Sequence, residues 1–345
     1  MIIDTHAHAL DEAFLQELCR TPRFGLSAGR DTQRRFCVRR GDGEFVSLDD
    51  ELTNIPARIE SLNRRSIGTQ LVGPPPGFVS WPGGAANVEY ARALNEHTAR
   101  VVAQGQGRLE LMITLPLGEP GNCAYELERA LDLYGARSAL LPTTAGGQAL
   151  ETGQFDDLFG VAESRGILLF LHPVSAEPPS RFPVYTLQVV VQWPAETTFA
   201  VSRMIFGGFF DRFPRLKMLL AHGGGGILFL KGRLNSAYEA RGAEGVPYFT
   251  SKIARPPGDY FNQLYFDTCS LLPESVEFTI KLAGPDRIMF GTDYPFEIGD
   301  AEGTRALPAL EGLPQDVKQK IFHENAAAAL DAAHPASQLG QQGRS

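Results

Sequence analysis

Eight short apolar runs recur along this chain, each followed by a stretch of helical character. They are Met1–His6, Thr69–Gly73, Leu109–Leu115, Ser138–Pro142, Ile167–His172, Lys217–His222, Leu264–Thr268 and Arg287–Asp293. Their residues are almost continuously hydrophobic rather than alternating, the pattern of parallel strands covered on both faces. The stretches between them include Val88–Ala103, Cys123–Tyr134, Gln154–Ser164 and Pro273–Ala283, where apolar and polar residues alternate at helical spacing. Strand then helix, repeated eight times, predicts an α/β fold, the (β/α)8 TIM barrel. With 345 residues the chain exceeds the roughly 250 such a barrel needs. The surplus falls in insertions after strands 1 and 5, at residues 11–48 and 174–200. The first carries the basic run RRFCVRR and the second the proline- and aromatic-rich PPSRFPVY and QWPAET. Structured insertions of this length in compact domains are usually lids or binding loops. One domain is expected over residues 1–333, with 11–48 as insertion and lid, and a disordered polar tail over 334–345.

Composition narrows the function classes. The formal net charge is −8, which disfavours indiscriminate nucleic-acid binding. No apolar run approaches the ~20 residues that span a membrane, and the stretch opening the chain is broken by Asp4 and His6, unlike a signal peptide. The four cysteines, Cys19, Cys37, Cys123 and Cys269, form no CxxC pair and read as reduced thiols. A cytoplasmic protein with neither nucleic-acid nor membrane partners is expected.

The polar residues on the strands carry the chemistry. The first strand ends in His6-Ala7-His8, the fifth in His172-Pro173, the sixth in His222 followed by four glycines, and the eighth in Asp293-Tyr294-Pro295. In a barrel of this type the carboxyl ends of the strands converge on one face, where active sites lie. His6 and His8, two residues apart on a strand, share a face and can reach one metal. An HxH pair alone is weak evidence, but four of seven histidines and an aspartate coincide at strand ends. That coincidence favours a metal site over isolated structural histidines. His97, His323 and His334, in helices and the tail, are given structural roles.

The order HxH, FLHP, LAHGGGG and FGTDYPF resembles the amidohydrolase superfamily. More narrowly, it is similar to the branch containing 2-amino-3-carboxymuconate-6-semialdehyde decarboxylase and related nonoxidative decarboxylases. The likeness runs over roughly residues 1 to 330, including QWPAETTFAVSRMIFGGFFDRFPRLKMLLAHGGGG and GPDRIMFGTDYPF. It implies that His6, His8, His172 and Asp293 ligate one divalent metal, with His222 as the acid/base residue. Three imidazoles and a carboxylate suit zinc first and manganese second. The fourth strand ends in SALLPTT without the lysine of dinuclear relatives, so one metal and no organic cofactor is expected. Asp293 is also a candidate proton acceptor.

The implied reaction is loss of carbon dioxide from an aromatic, heteroaromatic or muconate-type carboxylic acid, with His222 moving a proton to the vacated carbon. The rival on the same site is hydrolysis, of a C–C bond in a ring-fission product, a lactone or an amide. A non-enzymatic metal-binding barrel is a third reading, disfavoured because every implied ligand is present. For substrate contacts, Arg233 in KGRLNSAYEAR resembles an arginine shared between subunits, which implies a homodimer and a carboxylate clamp. The branch's other substrate arginine falls near Glu44-Phe45-Val46 and is absent, with Arg39 and Arg40 close by. Phe78 and Trp81, in the loop after the second strand, are candidates for stacking on a flat substrate. Trp193 and Glu196 are expected in the pocket wall, and Cys269 beside the pocket without a catalytic role.

Overall fold

The computed structural model describes residues 1–79, 86–174, 185–240 and 253–331. Eight parallel strands lie side by side in chain order: β1 (Ile2–His8), β2 (Ile67–Gly73), β3 (Leu109–Thr114), β4 (Ser138–Pro142), β5 (Leu168–His172), β6 (Lys217–Leu220), β7 (Leu264–Asp267) and β8 (Ile288–Met289). Residues 290–294 continue from β8 beside β1 and close the barrel. There Phe290 O accepts from Thr5 N at 2.9 Å, His6 O from Asp293 N at 2.8 Å, and Tyr294 O from His8 N at 2.8 Å.

The near-continuous hydrophobicity follows from burial on both faces. On β5, Leu168 and Phe170 pack inside the barrel with Met112, Leu140, Leu219 and Met289. Leu169 and Leu171 face outward, into the cluster formed with the surrounding helices. Alternation then delivers the next inward position, His172, to the carboxyl end of the strand. The same parity on β1 places His6 and His8 inward, and on β7 it places Asp267 inward beside Tyr265.

The expected helices are present, including Ala86–Gln104, Pro120–Tyr134, Asp156–Ser164 and Pro273–Ala283. The insertion after β1 has structure of its own. Helix Glu12–Arg20 is capped by Asp11, whose side chain accepts from Ala13 N. An antiparallel sheet of Leu26–Arg30, Phe36–Arg40 and Val46–Ser47 follows. His97 fixes this insertion to the barrel, its Nδ1 lying 2.7 Å from Asp11 Oδ2. In the insertion after β5, a π-helical turn Gln188–Gln192 runs into helix Trp193–Phe206. The tail expected from residue 334 lies outside the described residues. No helix among the described residues is long and apolar enough to cross a membrane.

Candidate metal centre

His6, His8, His172 and Asp293 are buried and meet at the carboxyl end of the barrel, each offering an atom within 4.8 Å of the others'. The ring centroids of the three histidines are 5.1 to 5.4 Å apart. Each ring is oriented through its Nδ1. That of His6 is 2.7 Å from Asp267 Oδ2, that of His8 3.3 Å from Pro74 O, and that of His172 3.0 Å from Pro173 O. An acceptor at Nδ1 fixes the proton there and leaves the Nε2 lone pair facing the centre, as the partners of metal-bound imidazoles do.

The Nε2 atoms of His6 and His8 lie 3.1 and 3.2 Å from Asp293 Oδ1, but among the described residues neither forms a hydrogen bond, and that of His172 has no partner. Three buried, unsatisfied imidazole nitrogens on one carboxylate would each cost about 1–3 kcal/mol if nothing bound them. The donor set fits a divalent cation, which would satisfy all of them together.

Protonation states agree with that fit at His8, His172 and Asp293, while His6 must lose a proton before its Nε2 can ligate. Burial pushes His8 below the ordinary imidazole value, and burial with the neighbouring imidazoles holds His172 well below it. Burial would raise Asp293, but the facing histidines outweigh it and hold the carboxyl well below the usual range. For His6 burial again opposes the charge, yet Asp293 and Asp267 raise it to about 10.

His222 stands beside the centre. Its Nε2 is 3.6 Å from Asp293 Oδ2 and its Nδ1 has no partner among the described residues. Both His222 and Asp293 hold left-handed backbone, at φ of 56° and 59°. Such conformations are uncommon for non-glycine residues and cluster at functional sites. The glycines after His222 answer a packing demand. A Cβ on Gly225, at φ +61°, would sit 2.2 Å from the carbonyl of Pro194. Only a bare Cα lets this turn pass under helix Trp193–Phe206, where Gly226 N donates to Thr198 Oγ at 2.8 Å.

Asp267 organises both parts. Besides His6 Nδ1, it accepts from the backbone N–H groups of His222 at 3.1 Å, Gly223 at 2.7 Å and Cys269 at 3.1 Å. Sequence reading passed it over, although a carboxylate closing LYFD is the same signal that singled out the histidines. A second buried group lies beneath. Asp4 accepts from Gln70 Nε2 and Thr292 Oγ1, while Arg58 donates to Gln70 Oε1 at 2.7 Å and to the carbonyl of His8 at 2.6 Å. Arg58 and Arg65 each lie 4.6 Å over the ring of Tyr294, the residue after Asp293.

His222 and Asp293 form the floor of a cavity of about 670 Å³. Its walls are mainly apolar, from Val189, Val190 and Pro194 on one side and Phe278 and Ile298 on another. Cys269 lines it, as expected. Phe78 does not. It is 3% exposed and packs in the core with Phe14 and Tyr90, because the turn Pro76–Phe78 folds inward under the insertion. Trp81 lies outside the described residues. Trp193 stands edge-on to His172 at 6.1 Å between ring centroids, whereas Glu196 lines a separate hollow with Arg203. Arg233 is exposed on helix Lys231–Glu239, away from the cavity lining of its own chain.

A closed parallel barrel with a three-histidine, one-aspartate cluster at its carboxyl end defines the class as a metal-site α/β barrel. The family model described as Amidohydrolase matches residues 3–332, and the chain belongs to that family. It is 29% identical over 289 residues to a 2-amino-3-carboxymuconate-6-semialdehyde decarboxylase of Dictyostelium discoideum, covering 83% of this chain and 79% of the relative. It is 27% identical over 253 residues to a gamma-resorcylate decarboxylase of Rhizobium radiobacter, covering 70% and 76%. Among solved structures, the fold matches apo IDCase of Metarhizium anisopliae with a TM-score of 0.82 at 21% identity, over 97% of this chain and 98% of that one. It also matches a dihydroxybenzoic acid decarboxylase of Polaromonas sp. with bound manganese and 2-nitroresorcinol, with a TM-score of 0.74 at 22% identity over 96% and 97%.

Proposed function

We propose that this chain is a metal-dependent nonoxidative decarboxylase of an aromatic, heteroaromatic or muconate-type carboxylic acid. The observation that carries the reading is the convergence of three unsatisfied imidazole nitrogens and Asp293 beside His222, under an apolar cavity sized for one small acid. The decarboxylase relatives point the same way.

In this reading His6, His8, His172 and Asp293 hold one divalent cation, zinc in preference, with manganese the competitor because a structure of like fold binds it. The bound cation supplies positive charge that draws in substrate oxygens and offsets negative charge developing in the transition state. Val189, Pro194 and Phe278 seat the ring and exclude water. His222, its Nε2 3.6 Å from the ionised Asp293 Oδ2, delivers the proton to the carbon bearing the carboxylate. When the C–C bond breaks, its electron pair restores the ring, carbon dioxide leaves, and the carbon keeps the proton in place of the carboxylate.

The finer features belong to the same proposal. Residues 1–333 act as one barrel domain with 11–48 as its insertion. The enzyme works as a cytoplasmic homodimer, supported by the exposed Arg233 and by free Cys19, Cys37, Cys123 and Cys269. The test is a carbon dioxide release screen with zinc- and manganese-loaded protein on hydroxybenzoates, pyridine carboxylates and aminocarboxymuconate semialdehyde. Release that needs metal, and that falls about 10²–10⁴-fold in His222→Ala while metal stays bound, is expected. Full activity in that variant would overturn the role of His222. Two organic fragments in place of carbon dioxide would overturn the decarboxylase reading.

A further inference from the structure

Strand β1 is irregular just where it carries its histidines. Ile3 and Asp4 pair with Thr69 and Gln70 of β2, but the next pairs are Ala7 with Val72 and His8 with Gly73. Between Asp4 and Ala7 the first strand takes three steps where its neighbour takes two, so one extra residue bulges at Thr5–His6. The bulge reverses which side chains face inward. Ahead of it Ile3 packs inside the barrel with Leu71 and Met112. Beyond it Ala7 and Ala9 pack outside, against Ile55 and Ile59 of helix Ile55–Arg64, and His6 and His8 face the centre. Strict alternation from Ile3 would instead turn Thr5 and Ala7 inward and both histidines outward.

One guanidinium on the outer face of the sheet holds both ends of this bulge. His6 N donates to Asp4 Oδ1 at 3.2 Å, and Asp4 Oδ2 accepts from Gln70 Nε2 at 2.8 Å. Gln70 Oε1 accepts in turn from Arg58 Nη1 at 2.7 Å, while Arg58 Nη2 donates directly to His8 O at 2.6 Å. The same Asp4 carboxyl accepts from Thr292 N at 3.1 Å and Thr292 Oγ1 at 2.7 Å, which anchors the residue before Asp293. Arg58 is fully buried, and among the described residues no ion pair engages it. Such a cation carries a desolvation cost that an apolar side chain of like volume avoids, so packing of the helix gives no reason for it. The two acceptors it reaches do.

We infer that Arg58 is a positioning residue of the metal centre: it holds the β1 bulge that turns His6 and His8 into the barrel. This rests on the metal-centre reading of the site. Arg58 lines no part of the cavity and touches no ligating atom, so it acts only through the strand.

The probe is cobalt(II), whose visible ligand-field absorption follows the geometry of its donors. It is titrated against a competing chelator into wild-type, Arg58→Met, Arg58→Lys and Leu62→Ala proteins. Arg58→Met should bind cobalt about 10–100-fold more weakly, with its bands shifted or weakened. Arg58→Lys keeps the charge but offers one nitrogen to two acceptors, and should move the same way by at least about threefold. Leu62, buried on the same helix, lies outside the relay. Its replacement by alanine should lower the denaturation midpoint and leave bands and affinity unchanged. Circular dichroism identifies the variants that fold. An equal change in Leu62→Ala overturns the inference, and so does failure of both arginine variants to fold, which would make Arg58 a structural residue of the barrel. A wild type that takes up no cobalt refutes the metal-centre reading and the inference with it. Cobalt binding by the wild type that folded arginine variants match in bands and affinity refutes the inference alone.

Discussion

Replacing Asp267 by asparagine tests how the centre is held in register. The carboxylate accepts four hydrogen bonds, two on each oxygen: His6 Nδ1 and His222 N on Oδ2, Gly223 N and Cys269 N on Oδ1. An amide of the same shape keeps one oxygen. Whichever way it turns, an NH₂ faces two donors. If it keeps the two backbone groups on Oδ1, His6 must surrender its Nδ1 proton and carry it on Nε2, the atom that faces the centre. That tautomer cannot ligate. Losing a carboxylate that orients a metal-binding imidazole lowers metal affinity by about 10–100-fold, or about 1.4–2.7 kcal/mol. The two bonds to a charged acceptor that are lost should also destabilise the fold by about 3–6 kcal/mol. Chelator-competition titration reads the first effect and denaturant unfolding of the metal-free protein the second. An asparagine variant that binds metal as tightly as wild type would refute the claim that Asp267 fixes the His6 tautomer.

Two further outcomes follow from the same geometry. In the metal-free protein His6 keeps its proton to about pH 10, so a metal must displace it, whereas His8 and His172 are already neutral and Asp293 ionised. Apparent metal affinity should therefore rise about tenfold per pH unit from pH 7 to 9, and a flat profile by chelator competition would contradict this. Because the folded value of His6 lies above the ordinary 6.5, its share of metal-free stability is full below pH 6.5 and is lost as pH climbs through 10. Gly225→Ala would put a Cβ 2.2 Å from Pro194 O at a φ of +61° and should cost at least about 3 kcal/mol, read as a lowered calorimetric Tm. An unchanged Tm would show that the turn has room the structure does not display.

Much of this was legible because a parallel barrel buries both faces of its strands. Leu168–His172 could be read as a strand from its apolar run, and alternation alone turns its last residue inward. Departures arise where backbone geometry overrides composition. The run Lys217–His222 ends as a strand at Leu220, because His222 needs left-handed backbone to face Asp293. The eighth strand pairs regularly only over Ile288–Met289, and its remainder bonds to β1 across the closure. The antiparallel sheet after β1 was hidden because arginines crowd RRFCVRR and mask the inward Phe36 and Cys37. Phe78 was placed beside the substrate from its loop alone. Whether an aromatic in such a loop turns toward the cavity or the core depends on the insertion that covers it, and local sequence does not encode that.

The central claim, replacement of a carboxylate by a proton without entry of water into the product, is tested most directly by running the metal-loaded reaction in deuterated, ¹⁸O-enriched water. Decarboxylation yields one carbon dioxide per product molecule, one deuterium at the vacated carbon and no ¹⁸O in the organic product. Recovery of two organic fragments, or ¹⁸O carried into the product's carbon skeleton, would contradict it.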